Sequence, residues 1–248
     1  MEVLLKQINR NGHASLATEG YKSRIRKAQQ VFKRISASEV GSKLGSKSVI
    51  MEIGCGSGHL LIEMAKSFPK SEIVGADIAN RLQVDLTSNI HFVEINQSNY
   101  YGLESDKFDL IILNQVFEHI EPSEKKILLS EINRMLKDDG KVWFAAPNKY
   151  ALVEPHFYIP LLSILPRRIA DILVRFFKLG ESYDCYPVSA KEFKNLLEMH
   201  FYCVENETIG TILFLSGMRS KIRRSKRVGT FFSNFSPTLV FTGEGVRK

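Results

Sequence analysis

A run of alternating glycines after a short apolar segment constrains this chain more than any other feature. Val49–Ile53 is apolar except for one carboxylate, and Gly54, Gly56 and Gly58 follow it before an apolar helical pattern begins at Leu60. Because glycine has no side chain, such a strand–turn–helix unit lets a ligand approach bare backbone. A dinucleotide site has the spacing G-x-G-x-x-G, but here the third glycine comes one residue early, which disfavours a nicotinamide or flavin cofactor.

Composition limits the class of protein. The 248 residues are enough for one substantial domain with an insertion, and 44% hydrophobic with 25% charged residues is typical of a globular chain. Cys55, Cys185 and Cys203 are scattered without a C-x-x-C spacing, which indicates neither a disulfide framework nor a zinc site. The N-terminus is too polar for a secretory segment, and no apolar run approaches the roughly 20 residues needed to cross a bilayer. We therefore expect a cytoplasmic protein.

Strand and helix patterns alternate from Ser48 onward. The predicted strands are Ser48–Ile53, Glu72–Gly75, His91–Ile95, Phe108–Leu113, Lys141–Ala146, His200–Glu207 and Thr238–Thr242. The predicted helices are Ser23–Ser36, Leu60–Phe68, Pro122–Leu136, Pro166–Lys178 and Ser189–Met199. This order predicts an α/β, Rossmann-like fold: a seven-stranded, mainly parallel sheet with helices on both faces, whose last two strands form an edge hairpin.

The same pattern predicts how the domain is organised. Residues 1–47 are expected to be an N-terminal helical cap and linker, and residues 48–248 the main domain. Residues 149–189 are too long for a simple crossover, so we expect a helical insertion after strand five, with the role of a lid.

Ligands of such sheets bind beyond the carboxyl ends of the strands, so residues at these ends are the candidate site residues. Asp77 closes strand two and lies 21 positions after Gly56. A carboxylate there can accept hydrogen bonds from both hydroxyls of a ribose. The alternative is that Asp77 caps a following helix.

Four motifs, in order along the chain, resemble class I S-adenosylmethionine-dependent methyltransferases, in particular ubiquinone-biosynthesis O-methyltransferases. They are E-x-G-x-G-x-G at Glu52–Gly58, F-D-x-I-x-x-x-x-V-x-E-H-I at Phe108–Ile120, L-x-x-I-x-R-M-L-K-x-x-G at Leu129–Gly140 and A-P-N at Ala146–Asn148. The resemblance implies S-adenosylmethionine as the cofactor. The cofactor-binding residues that it implies are Glu52, Gly54, Cys55, Gly56, Gly58, Asp77, Ile78, Asn96, Gln97, Asn114 and Gln115.

Two positions bear on how far the resemblance extends. Related enzymes often have an Asp where this chain has Asn96, beside the adenine amino group, and the amide oxygen of an Asn can still accept that hydrogen bond. Methyltransferases of nucleobase amines carry N/D-P-P-Y/F after strand four. This chain has Asn114–Phe117, without prolines, which argues against DNA amines as substrates.

His119 and His156 are the candidate catalytic residues. Histidine titrates near neutral pH, and both follow strands whose ends form the ligand edge, so either is suited to take a proton from an acceptor hydroxyl. The alternative is that Glu118 and His119 only brace the floor of the pocket. A third reading needs no base, because the sulfonium methyl is already activated and positioning can suffice. No cluster of carboxylates suits a divalent ion, so we predict no metal.

The helix predicted at Pro166–Lys178 is amphipathic and mostly basic. Its apolar residues are Ile169, Ile172, Leu173, Phe176 and Phe177, at i, i+3, i+4, i+7 and i+8. As a lid, the helix would bury Phe176 and Phe177 against the domain. As a membrane-surface helix, it would sink the same face among acyl chains while Arg and Lys meet anionic head groups.

A second basic segment has six cations in nine residues, Arg219–Arg227. It is either a solvated face or a contact for phosphate, and the absence of interleaved aromatic residues makes a nucleic-acid partner the least favoured.

Together these features predict a methyltransferase that transfers a methyl group by in-line displacement to a small-molecule, lipid-linked or glycan-linked acceptor, at a hydroxyl oxygen. The expected partners are this small or amphiphilic acceptor and, weakly, an anionic membrane surface, so that the protein is peripheral at the membrane. Two alternatives remain: a cofactor-binding regulatory or scaffolding protein without turnover, and a methyltransferase acting on protein or RNA.

Overall fold

A seven-stranded sheet forms the centre of the protein. The computed structural model describes residues 18–95, 103–208 and 236–245. Its strands are β1 (Val49–Ile53), β2 (Glu72–Asp77), β3 (Ile90–Glu94), β4 (Phe108–Asn114), β5 (Leu136–Pro147), β6 (Phe201–Asn206) and β7 (Thr238–Gly245). Their order is β3-β2-β1-β4-β5-β7-β6, and β7 is the strand that runs opposite to the other six. The predicted α/β fold with a mainly parallel sheet is confirmed.

Helices cover both faces of this sheet. They are α1 (Thr18–Ala37), α2 (Glu39–Ser42), α3 (His59–Ser67), α4 (Pro122–Met135), α5 (Arg167–Phe176) and α6 (Ala190–Glu198), with short 3₁₀ helices at Phe117–His119 and Leu162–Ile164. Helix α6 begins with a capping box, in which Ser189 and Glu192 exchange side-chain and backbone hydrogen bonds. Most bounds agree with the prediction to within a few residues, but β5 begins five residues early, directly after α4.

Each face of the sheet has its own core, because successive side chains of a strand point to opposite sides. Met51 packs into one core and Ile50 into the other. The first core centres on an aromatic cluster in which Phe117 stacks on Phe193 with ring centroids 4.9 Å apart. In the second core α1 contributes buried side chains such as Ile35, so the N-terminal helix packs beside the sheet.

The two last strands pair as predicted, but their order in the sheet places β7 between β5 and β6, so that β6 alone is the edge. The basic run Arg219–Arg227 lies in the connection between them, outside the described residues.

The predicted helical insertion after strand five is confirmed, and it has a small hydrophobic core of its own. This core comprises Ile159, Leu162, Ala170, Val174, Tyr183 and Cys185. The insertion returns to the sheet where Lys149 N–H donates to Val188 O at 3.0 Å, and Tyr186 N–H donates to Glu118 O at 2.6 Å. The lid interpretation requires Phe176 and Phe177 to be buried. They are instead 75% and 54% exposed. None of the helices in the described part of the chain is long and apolar enough to cross a membrane.

Candidate functional site

The turn after β1 is shaped by three glycines in the left-handed region. Gly54, Gly56 and Gly58 have φ of +74°, +50° and +79°, a backbone conformation that favours glycine. A Cβ on Gly54 would lie 2.2 Å from Val116 Cγ2, so this glycine is also required by packing. Among the residues that the structure describes, none lies within 4 Å of a Cβ placed on Gly56. Within this part of the chain the backbone at Gly56 therefore faces open space, as expected where a ligand approaches closely.

The predicted ribose acceptor, Asp77, is fixed beside this turn. It is 8% exposed, and its Oδ2 accepts from Gly56 N–H at 2.8 Å while its Oδ1 accepts from Ile78 N–H at 2.7 Å. Each carboxylate oxygen has capacity for a further hydrogen bond. Residues 78–89, all of them described, contain no helix, so the helix-capping alternative for Asp77 is wrong.

Glu52, on β1, is a buried acid next to the turn. Its side chain is almost inaccessible, and Oε2 has no hydrogen-bond partner within residues 18–95, 103–208 and 236–245. Burial, together with the charge of Asp77, raises the pKa of Glu52 well above its usual range. A buried acceptor without a partner is costly, so a cationic ligand at this point would stabilise the ionised carboxylate.

The other predicted cofactor residues extend from the same edge. Cys55 is buried, and its N–H donates to Ala76 O at 3.2 Å. Asn114 ends β4, which pairs with β1, and Gln115 follows it with φ of +57° and its N–H bonded to Ala145 O at 2.8 Å. The turn that follows β4 thus lies beside the glycine turn that follows β1. Asn96 and Gln97 lie outside the described residues.

The two predicted catalytic histidines, 37 positions apart in the chain, meet over a buried carboxyl group. Glu118 lies in the 3₁₀ helix after β4 and is 1% exposed. Its Oε1 is 3.4 Å from His156 Nε2 and 4.0 Å from His119 Nε2. The two imidazole rings lie edge to face, with centroids 5.3 Å apart.

Glu154 holds His156 from the other side. Its Oε1 is 3.0 Å from His156 Nδ1, and its Oε2 accepts from the N–H groups of His156 and Phe157, each at 2.6 Å. Burial alone would lower the pKa of His156, but Cys185, Glu118 and Glu154 raise it to about 12. At neutral pH His156 is therefore an imidazolium between two buried carboxyl groups.

Cys185, Lys125 and Glu154 complete this cluster, and sequence reasoning missed all three. Burial, opposed only in part by His156, raises the pKa of Cys185 to about 12. Burial lowers the pKa of Lys125 to about 8, and its Nζ donates to Tyr186 O at 2.7 Å. The spacing Glu-Pro-His was the one available signal, since it places a carboxyl group two residues before an imidazole.

The ligand atoms of His119, His156 and Cys185 lie within 4.8 Å of one another, a spacing at which one metal ion can be held. A metal requires a neutral imidazole and, from cysteine, a thiolate. Without a metal, the pKa values of about 12 for His156 and Cys185 favour the protonated forms, so a metal ion would have to displace a proton from each. Glu118 and Glu154 instead balance the charge of His156.

Asp109, from the motif in β4, lies instead at the opposite, amino-terminal ends of the strands. Its Oδ2 accepts from Val49 N–H at 2.7 Å, and Lys137 Nζ is 2.8 Å from each of its carboxylate oxygens. This part of the family motif fixes the starts of β1 and β4 and belongs to the fold.

A profile of the methyltransferase-domain family matches residues 21–199. The chain is 27% identical over 157 residues to Methyltransferase str3 of Strobilurus tenacellus, covering 62% of this chain and 53% of that protein. It is 25% identical over 138 residues to malonyl-[acyl-carrier protein] O-methyltransferase of Geobacter sulfurreducens, covering 53% and 51%. The chain therefore spans about half the length of these curated relatives.

The crystal structure of a SAM-dependent methyltransferase from Archaeoglobus fulgidus has the same fold, with a TM-score of 0.56 at 15% identity, covering 90% of this chain and 97% of that one. The glycine turn fits S-adenosylmethionine: as far as the structure describes the chain, Gly56 opens onto free space and Oε2 of Glu52 has no partner, which suits a cationic ligand. The family profile covers well over half of the chain, including every element that forms this turn. The chain thus belongs to the methyltransferase-domain family.

Proposed function

We propose that this enzyme methylates a hydroxyl oxygen of a small or amphiphilic acceptor, held at the carboxyl ends of β4 and β5 beside His119. The observation that carries the proposal is the meeting of His119 and His156, from separate elements, over the buried Glu118. The name of the Geobacter relative, an O-methyltransferase, supports oxygen as the methylated atom.

On the cofactor side, S-adenosylmethionine supplies a methyl group already activated by its sulfonium. We assign the ribose hydroxyls to Asp77 and the close backbone approach to Gly56. Glu52 offers a carboxylate to the positive charge of the cofactor. Cys55, Ile78, Asn114 and Gln115 lie at the same edge as further contacts, and Asn96 and Gln97 are assigned from the sequence alone.

On the acceptor side, the two histidines have different roles. His156 is positively charged and held at both ring nitrogens, so it positions the acceptor and stabilises negative charge on its oxygen. The His119 side chain is 23% exposed and is not enclosed by two carboxyl groups, so it is the better proton acceptor. With acceptor and cofactor bound, His119 would take the proton of the acceptor hydroxyl, and the cofactor would supply its methyl group to that oxygen, its sulfur keeping the electrons of the broken carbon–sulfur bond. General-base assistance of this kind contributes about 10²–10⁴-fold.

The test uses the full chain with a methyl-labelled cofactor and extracts of small molecules and lipids. We expect labelled product, and we expect His119→Ala to lower turnover about 10²–10⁴-fold while calorimetry shows unchanged cofactor affinity. Treatment with EDTA should leave turnover unchanged. Cofactor binding without any labelled product favours the scaffolding alternative, and label found only in protein or RNA overturns the small-molecule assignment. Full activity in His119→Ala would show that positioning alone is sufficient.

A further inference from the structure

Helix α5 packs on the insertion with its large apolar side chains facing solvent. Ala170 and Val174 face the core of the insertion and are fully buried. On the opposite side Ile169, Ile172 and Phe176 are 47%, 58% and 75% exposed. Their spacing of i, i+3 and i+7 places them on one face of the helix. This reverses the usual arrangement, in which the broad apolar face of a surface helix packs on the core.

The exposed apolar surface continues beyond the helix. Phe177 and Leu179 are 54% and 50% exposed, and the ring of Phe177 contacts that of Phe176 with centroids 5.3 Å apart. Just before the helix, Leu161 and Ile164 are 46% and 44% exposed. Most of the exposed large apolar side chains among the described residues belong to the insertion. Such concentration marks an interaction surface, because scattered exposed apolar residues are ordinary and clustered ones are not.

The exposed charges between residues 167 and 179 have one sign, and the exposed acid Glu181 follows two residues beyond Leu179. Arg168 and Arg175 are exposed and border the apolar stripe on the side of Ile172. The exposed Lys178 follows the helix. The single acid between residues 167 and 179, Asp171, is turned inward, where its Oδ1 accepts from Tyr183 N–H at 2.8 Å. An outward apolar stripe bordered by cations is complementary to an anionic lipid surface, in which acyl chains lie below negatively charged head groups.

We propose that this surface, formed by α5 with residues 161–164 and 177–179, docks on anionic phospholipid bilayers. The large side chains enter the boundary between head groups and acyl chains, while the flanking cations contact the head groups. The same insertion carries His156, so docking brings the acceptor site to the membrane; this consequence rests on the proposed function, whereas the docking itself does not.

The test is vesicle sedimentation of the full chain without any acceptor. Vesicles of phosphatidylcholine alone are compared with vesicles containing about 30% phosphatidylglycerol, at low and high salt. We expect binding to the anionic vesicles at low salt and its loss at high salt. Phe176→Asp should weaken binding about tenfold or more. Arg168→Glu with Arg175→Glu should weaken it at least about 25-fold, since each cation near an anionic surface contributes about fivefold.

Two matched controls use sites outside the insertion. Met199→Asp replaces another exposed apolar side chain, and Lys66→Glu replaces another exposed cation. Both should change vesicle binding by less than about twofold. The proposal is overturned if the protein stays in the supernatant with anionic vesicles at low salt, or if the α5 variants bind like the controls. It is also overturned if Phe176→Asp abolishes a dimer seen in sedimentation velocity without affecting vesicle binding, because the surface would then join two copies of the chain.

Discussion

The turn after β1 and the insertion after β5 both contribute to the ligand edge of the sheet, yet they are built in different ways. The turn consists of backbone: Gly54, Gly56 and Gly58 adopt left-handed conformations, and Asp77 holds Gly56 through a single hydrogen bond. The insertion contributes side chains, and Cys185, Glu118 and Glu154 raise the pKa of its His156. The proposed cofactor site therefore depends on local conformation, whereas the proposed acceptor site depends on contacts between distant parts of the chain.

The largest expected effect is on cofactor affinity, and it distinguishes two carboxylates at opposite ends of the strands. Asp77→Ala removes two charge-assisted hydrogen bonds to ribose, each contributing about 1.5–3 kcal/mol before water compensates. Cofactor affinity measured by calorimetry should fall by two orders of magnitude or more. Asp109→Ala is the control, since Asp109 contacts Val49 and Lys137 at the far edge. It should lower the melting temperature and leave cofactor affinity intact; an equal loss of affinity in both variants would contradict the ribose assignment.

The next prediction concerns two glycines of one turn. Gly54→Ala should cost about 2–4 kcal/mol of stability, because a left-handed alanine is strained and its Cβ would clash with Val116. Gly56→Ala meets no protein atom, so its stability cost should be only about 1 kcal/mol, from backbone strain. Cofactor affinity should nevertheless fall at least tenfold, because the added methyl enters the ligand space. Chemical denaturation and calorimetry on both variants check this, and the assignment of ligand space fails if Gly56→Ala binds normally.

A smaller effect is expected in the insertion. Glu154→Gln keeps the shape of the side chain but removes the charge that helps to keep His156 protonated. The pKa of His156 should fall, and turnover should decrease about tenfold, the cost of weakening one charge-assisted hydrogen bond. The NMR titration of His156 reads its pKa directly, and cofactor affinity should not change. An unaltered titration would show that Glu118 and Cys185 alone set the charge of His156.

The smallest effect is a pH dependence at Glu52. Burial and the charge of Asp77 raise the pKa of Glu52 in the folded protein above its pKa in the unfolded chain. The folded protein therefore loses stability as pH rises from the unfolded-state pKa through the folded-state pKa. The Glu52→Gln side chain stays neutral at every pH. Without cofactor, the melting temperature of this variant should therefore rise relative to that of the wild type between about pH 5 and 8. Cofactor affinity of the wild type should rise with pH, whereas that of the variant should stay flat. If the melting temperatures of variant and wild type changed in parallel with pH, the raised pKa of Glu52 would be refuted.

Much of the geometry of the turn after β1 could be predicted because its signals are local. Gly54, Gly56, Gly58 and Asp77 lie within 24 residues of one another, and a left-handed turn restricts which residue types can occupy it. The roles within the acceptor cluster could not be predicted in this way. Glu118 and His156 are 38 positions apart, and neither residue alone indicates that burial and a second carboxyl group will fix the charge of the imidazole.

The sequence by itself determined the strand and helix pattern, the glycine turn, the position of Asp77 at a strand end, and the residues that share a face of α5. It could not determine which face of α5 meets the core. Helical periodicity reports that Ile169, Ile172 and Phe176 lie together, but it contains no information on what they contact. The tertiary structure decided this, because the small residues Ala170 and Val174 allow close packing against the insertion and leave the large residues facing solvent.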